Sequence, residues 1–424
     1  MRNSRIMKLL LVLLIISALI MIGIIIRERT DIQSAEEDQS ITSTEMNNNT
    51  TPVNESELQV ETETELEAEV EVQQTIKVQN VSAQRMDALN IQITWSDDLD
   101  STANKYRIEK ADTQQSADLK WQLVEEVVSD GVVSGEPNIA TDHLLSEEPQ
   151  QYFYRVVPVT EDSKKYASIE SDPAVCTNVL ICIDPGHYAG KNAANAVDSY
   201  GYAEGDFTLK IAQKLSDILQ NEYGISSCMT RTSGTIDLHG YTNKTLDSGH
   251  ISLRGTYAGE TESTLFVSIH TNANEDYANN VGTFEQPIAI NKPIIIANDL
   301  AISSDKMLLV CNAIGKNLAK TSFDVGIYSY QEFETVSKGE VREWTVDYND
   351  STSELGSVVC RHGDDGQFYG VLRGAQEAGI PGIIIEHGYH TVKEMRYAAM
   401  YQTLDTEWAE ADARGIAEGF GFSK

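Results

Sequence analysis

The period of hydrophobic and polar positions changes three times along this chain, and each change marks a different kind of structure. From Leu9 to Ile26 no charge interrupts an apolar run broken only by Ser17, Ala18 and Gly23. Eighteen such residues suffice to cross a hydrocarbon core as a helix. Arg2, Arg5 and Lys8 precede the run, and neither a small-x-small cleavage site nor a lipobox cysteine follows it. An uncleaved anchor over residues 1–30 is therefore expected in preference to a signal peptide. Arg27 and Arg29 make the charge bias slight, so the orientation rests on the N-terminal position of the run and on what lies beyond it. The expected topology is single-pass in the cell membrane, with the remaining domains outside the cytoplasm and facing the cell wall.

Residues 31–75 carry 13 acidic side chains and no Lys or Arg, in a background of Gln, Ser, Thr and Asn that ends in ETETELEAEVEV. Such a segment is a self-repelling, disordered linker. As a flexible coil its 45 residues span about 35 to 40 Å root mean square, more when charge repulsion stretches it.

Between residues 76 and 176 the apolar period becomes two. Leu89, Ile91, Ile93 and Trp95 share one face, followed by Tyr106 and Ile108, then Tyr152, Tyr154 and Val156. Short strands separated by turn signals predict an all-β sandwich. The segment resembles a fibronectin type III domain, with ITWS as the second strand and its core tryptophan, KYRIEK as the third, and QYFYRVVPV as the sixth. A spacer role and a carbohydrate- or wall-binding role are both compatible with it.

From residue 177 to 424 strand and helix patterns alternate, which predicts an α/β domain. VLICID reads as a buried strand ending in Pro-Gly. A helix begins near Glu204, with Phe207, Ile211, Leu215 and Ile218 on one face. ISSCMTR, TLFVSIH and GIPGIIIEHGYH read as further strands, and Asp299 to Lys320 as a helix.

Composition adds one strong exclusion. With 32 Lys and Arg against 65 Asp and Glu, the formal net charge is −33, and a polyanion releases no counterions from a phosphate backbone, so nucleic acid is excluded as a partner. The five cysteines (Cys176, Cys182, Cys228, Cys311 and Cys360) show no CxxC spacing. They are read as buried or free thiols, not as a disulfide scaffold or a cysteine zinc site.

Chemistry-bearing residues stand at three strand ends: His187 after CIDPG, His270 in VSIHTN and Glu386 in IIIEHG. The carboxyl ends of strands are where α/β folds place their sites. Glu204, at the start of a helix, adds a carboxylate, so two histidines and a glutamate can form an open three-ligand zinc site with water in the fourth place.

DPGH at Asp184 to His187, Glu204 in EGDFTL, DSGHISLR at Asp247 to Arg254, SIHTN at Ser268 to Asn272, and VLRGAQEAGIPGIIIEHG up to Gly388 together resemble the zinc-dependent N-acetylmuramoyl-L-alanine amidases of the amidase-3 family. The resemblance implies a mostly parallel sheet flanked by helices, His187, Glu204 and His270 as zinc ligands, and Glu386 as the catalytic carboxylate. It further implies a peptidoglycan substrate, cut at the amide joining N-acetylmuramic acid to the L-alanine of the stem peptide. An activator of unknown identity is compatible with it.

Three features depart from the family pattern. The loop after DPGH, YAGKNAANAVDSYGYAEGD, lacks the usual glycine richness. HGYHT places His387 and His390 beside Glu386, as partners of the site or as a polar rim. Residues 328–366 exceed what the family core requires and read as an inserted loop bordering the cleft. A zinc peptidoglycan endopeptidase remains an alternative, as does an anchored, non-catalytic wall-binding protein on an amidase-like scaffold.

Overall fold

The computed structural model describes residues 74–96, 103–112, 120–128, 136–191, 201–273, 292–321, 333–344, 356–364, 366–390 and 392–424. The expected anchor and the linker through residue 73 lie outside the described residues. The linker's expected end shifts slightly, because Gln74–Ile76 forms a short strand paired in parallel with Tyr166–Ser168. Among the described residues no helix is long and apolar enough to cross a membrane.

The first domain is a sandwich of seven strands: β1 (Gln79–Arg85), β2 (Asn90–Ser96), β3 (Lys105–Asp112), β4 (Gln122–Val128), β5 (Asn138–His143), β6 (Gln151–Val159) and β7 (Ala174–Thr177). One sheet has the order β1-β2-β5, the other β4-β3-β6-β7. Alternation along β2 buries Ile91, Ile93 and Trp95 completely, because successive side chains of a strand point to opposite faces. Leu89 lies before the strand and is exposed. Trp95 meets Tyr106 edge-on at 5.5 Å, and the Tyr154 hydroxyl donates to Asp142 across the core at 2.8 Å.

Two residues lead from β7 into the second domain. Its main elements include β8 (Leu180–Pro185), α1 (Glu204–Tyr223), β9 (Ser226–Met229), α2 (Leu253–Glu260), β10 (Leu265–Asn272), β11 (Ile294–Ala297), α3 (Asp305–Leu318), β12 (Gly356–Cys360), α4 (Gly370–Glu377), β13 (Gly382–Tyr389) and α5 (Leu404–Phe420). The sheet has the order β9-β8-β10-β13-β11-β12, with Phe333–Glu334 and Arg342–Glu343 both pairing with β12. All of these pairs are parallel except β11 with β13. The strands are near-continuous apolar runs, as sheets covered on both faces require.

The two faces can be told apart on β13. A Cβ placed on Gly382 would touch Leu372 and Ala375 of α4, so the residues at 382, 384 and 386 face α4. His387, one residue on, reaches Asp412 of α5 on the other face. Helices α2 and α4 are in direct backbone contact, since a Cβ on Gly255 would lie 2.0 Å from the Val371 carbonyl oxygen. The sandwich joins at the N-terminal end of β8, where Arg85 Nε donates to the Asn178 carbonyl at 3.0 Å and Gln151 Nε2 to those of Tyr223 and Ser423. Asp184 and His187 lie at the other end of that strand.

Two expectations change. The helix expected from Asp299 to Lys320 is broken at Ser304, whose backbone is extended and whose hydroxyl accepts from Met307 N–H to start α3. The stretch 328–366 is not simply an inserted loop: Gly356–Cys360 is a wholly buried strand of the main sheet. Its sequence GSVVC is too short for a period to stand out, and burial between neighbouring strands is what forms it.

Candidate metal centre

Asp184 organises the turn that carries His187. Fully buried, it accepts from Ser268 at 2.7 Å, from Thr230 and from Arg254 Nη1 at 2.9 Å. Burial alone would push its carboxyl up; the Arg254 guanidinium and the two hydroxyls outweigh this and hold it below the usual range. Arg254 also donates to the His187 carbonyl at 2.8 Å, and Arg231 Nη2 to those of Gly186 and Gly205 at 3.0 and 2.6 Å. These bonds hold His187 in the left-handed region at φ 60°, a conformation that costs energy for a residue with a side chain. At Gly186 any Cβ would stand 2.4 Å from His270 Cε1, so only glycine lets the turn pass over that ring.

The three expected ligands converge. Glu204, the first residue of α1 and fully buried, has Oε2 at 3.2 Å from His187 Nε2 and Oε1 at 3.3 Å from His270 Nδ1. Its Oε1 also accepts from Thr271 N–H at 3.0 Å. Gly205 follows because a Cβ there would stand 2.0 Å from the Tyr188 carbonyl oxygen. Burial opposes ionisation of Glu204, but the His187 imidazole and the hydrogen bonds from both histidines hold its carboxyl well below the usual range. His187 is raised in turn: burial works against its charge, and Glu204 outweighs it.

Could these residues hold zinc? Their donor atoms all lie within 4.8 Å of one another. With Zn–N and Zn–O bonds of about 2.0 to 2.2 Å, a tetrahedral N···O edge is about 3.3 Å, and each histidine nitrogen lies about that far from one of the two Glu204 oxygens. The donor set, two imidazole nitrogens and a carboxylate, also fits.

Glu386 stands beside this cluster because β10 and β13 run in register, His270 opposite Glu386. Paired residues of adjacent strands share a face. Its Oε2 is buried and has no hydrogen-bond partner among the described residues. Burial, then the neighbouring Glu204 charge, pushes its carboxyl well above the usual range. Arg373, on α4, donates to the Gln367 carbonyl at 3.3 Å.

The residues after Glu386 form no polar rim. Asn272 pairs with Tyr389 where even spacing would pair it with Gly388, so the register slips by one residue in β13. His387 is buried between the His270 carbonyl oxygen at 3.1 Å and Asp412 at 2.7 Å, and so braces the strand from behind. His390 is buried beside Thr271, whose hydroxyl is 3.0 Å from its Nδ1 and 2.7 Å from the Tyr202 hydroxyl. Burial lowers its pKa. The roles of Arg231, Thr230 and Asp412 were invisible in the sequence, since each acts from a distant segment with no motif around it.

The family profile for N-acetylmuramoyl-L-alanine amidase matches residues 181–418, more than half of the chain. The chain belongs to that family. Among solved structures, N-acetylmuramoyl-L-alanine amidase from Clostridium difficile 630 is 18% identical, with a TM-score of 0.37 over 57% of this chain and 95% of its own. The catalytic domain of CwlV, the amidase of Bacillus (Paenibacillus) polymyxa var. colistinus, is also 18% identical, with a TM-score of 0.36 over 57% of this chain and 97% of its own. For the sandwich, the FN5 domain of Drosophila Lar is 16% identical, with a TM-score of 0.17 over 24% of this chain and 92% of its own. No curated protein matches in sequence. Membership of the amidase family rests on the profile match.

Proposed function

We propose that this protein is a zinc-dependent N-acetylmuramoyl-L-alanine amidase, held by its N-terminal helix at the outer face of the cell membrane and reaching peptidoglycan across its acidic linker. The observation that carries this is the convergence of His187, Glu204 and His270 beside Glu386, whose carboxylate oxygen is buried and unpartnered, in a chain of the amidase family.

His187 Nε2, His270 Nδ1 and the Glu204 carboxylate would hold the ion. When bound, zinc supplies Lewis-acid polarisation of an amide carbonyl and makes water more acidic. The chain's own residues do the rest. Glu204 balances the positive charge, and Arg254 and Arg231 fix the turn that aims His187. Glu386 takes a proton from the water that adds to the amide carbonyl carbon, and its raised affinity suits it to hold that proton. As the C–N bond breaks, Glu386 delivers the proton to the departing nitrogen. The products are the lactyl carboxylate on the glycan and a free L-alanine amine on the peptide. The sandwich, bonded to the far end of β8 from the site, acts in this reading as a fibronectin type III-like spacer.

Digesting purified peptidoglycan and identifying the released ends by mass spectrometry tests the proposal. Free L-alanine amino ends with intact glycan are expected. New amino ends elsewhere in the peptides would make the enzyme an endopeptidase, and no new ends would leave a binding protein.

A further inference from the structure

A second group of metal-binding side chains lies outside the amidase site. Arg342–Glu343 runs parallel to β12 with Glu343 in register with Cys360, and His362 follows two residues later. Cys360 Sγ is 3.4 Å from Glu343 Oε2, and His362 Nδ1 is 3.0 Å from the same oxygen. The three donor atoms lie within 4.8 Å of one another. We propose that Glu343, Cys360 and His362 form a second, structural site for a divalent transition metal of zinc's class, which ties the Arg342–Glu343 strand to the edge of the main sheet.

The spacings suit such an ion. Bonds of about 2.3 Å to sulfur and about 2.0 to 2.2 Å to oxygen and nitrogen give tetrahedral edges of about 3.5 Å for S···O and 3.3 Å for N···O. The outer nitrogen of His362, Nε2, is 2.9 Å from Asp299 Oδ1. This is the carboxylate–imidazole arrangement that fixes ring orientation behind metal-bound histidines. Without an ion, an imidazolium held between Glu343 and Asp299 and a Cys360 thiol donating to Glu343 occupy the same positions, so metal binding itself is the quantity to measure. A thiolate–imidazole–carboxylate set favours zinc-like ions over magnesium or calcium. The side chains of Glu343 and His362 are 44% and 39% exposed, so an ion can enter from solvent and water can complete its shell, while the sulfur is buried.

Strand register separates this site from the amidase centre. Glu386 pairs with Ile294, whereas Ile296 pairs with Val359 next to Cys360. Cys360 is therefore about 10 Å further along the strand direction and two strands, about 10 Å, across. An ion here would act by fastening structure. Glu343 is followed by Trp344, whose ring stacks on that of Tyr369 at 6.1 Å where α4 begins, so the clasp would hold one wall of that helix's entrance.

Cobalt(II) added to the metal-free full chain reads the site directly, because the amidase centre has no sulfur ligand. A near-ultraviolet sulfur-to-cobalt charge-transfer band is expected in the parent and is lost in Cys360→Ser. The exposed-side variant His362→Ala should lose one zinc per chain by elemental analysis, with its circular dichroism unchanged. No band in the parent, a band that persists in Cys360→Ser, or parental zinc content in His362→Ala would each overturn the proposal. These readouts do not depend on hydrolysis, so failure here and failure of the amidase reading are seen separately.

Discussion

Replacing Glu386 with Gln separates proton transfer from every structural role that the residue could have. The amide keeps the shape of the carboxylate on β13 and removes only its basicity. Glu386 Oε2 is buried without a partner, and Arg373 is engaged elsewhere, so no ion pair is broken. General acid–base catalysis contributes about 10² to 10⁴ in rate, which is about 2.7 to 5.4 kcal/mol of barrier. The release of L-alanine amino ends should fall by that factor while zinc content stays at the parental level. Stability supplies a second readout in the metal-free protein. Glu386 has a raised folded-state pKa, so the folded chain keeps a proton that the unfolded chain loses. Parental stability therefore declines as pH rises above the ordinary carboxyl value of about 4.3 toward the raised one, and above that the loss is complete. Glu386→Gln lacks this decline and should melt at a higher temperature than the parent at neutral pH. More than about a tenth of parental activity in the variant would refute the assignment, and a lower melting temperature would show that the carboxylate stabilises the fold.

Asp184→Ala removes the fully buried one of Arg254's two carboxylate partners and leaves Asp247, so about 3 kcal/mol of stability, the low end for a broken buried pair, should be lost in denaturant titration. Gly186→Ala drives a methyl group into the His270 ring, so zinc measured after dialysis should fall below one equivalent at the amidase site even where the variant folds. Protease added to intact protoplasts should strip the folded domains; protection until the membrane is dissolved would reverse the proposed topology. Deleting residues 356–360 removes a buried strand and should abolish cooperative unfolding, whereas a mobile loop would tolerate the change.

How much of the site could be read from sequence follows from what each residue needs. Sequence alone determined where the buried strands bring titratable residues to the site, because GIIIE and TLFVSIH are apolar runs that reach one, although the strands run on to Tyr389 and Asn272. It also determined the sandwich, where alternation along NIQITWS records one buried face. Tertiary structure decided what depends on two distant segments meeting. Nothing near Arg231 in the sequence shows that it clamps Gly186 and Gly205. His387 and His390 sit three residues apart in one short motif, yet the first turns to Asp412 behind the sheet and the second, beyond the register slip, meets Thr271. The strand Gly356–Cys360 is likewise too short to carry a period of its own. Its pairing with β11 is a contact across more than fifty residues of chain, and long-range pairing of this kind leaves no local trace in an amino-acid pattern.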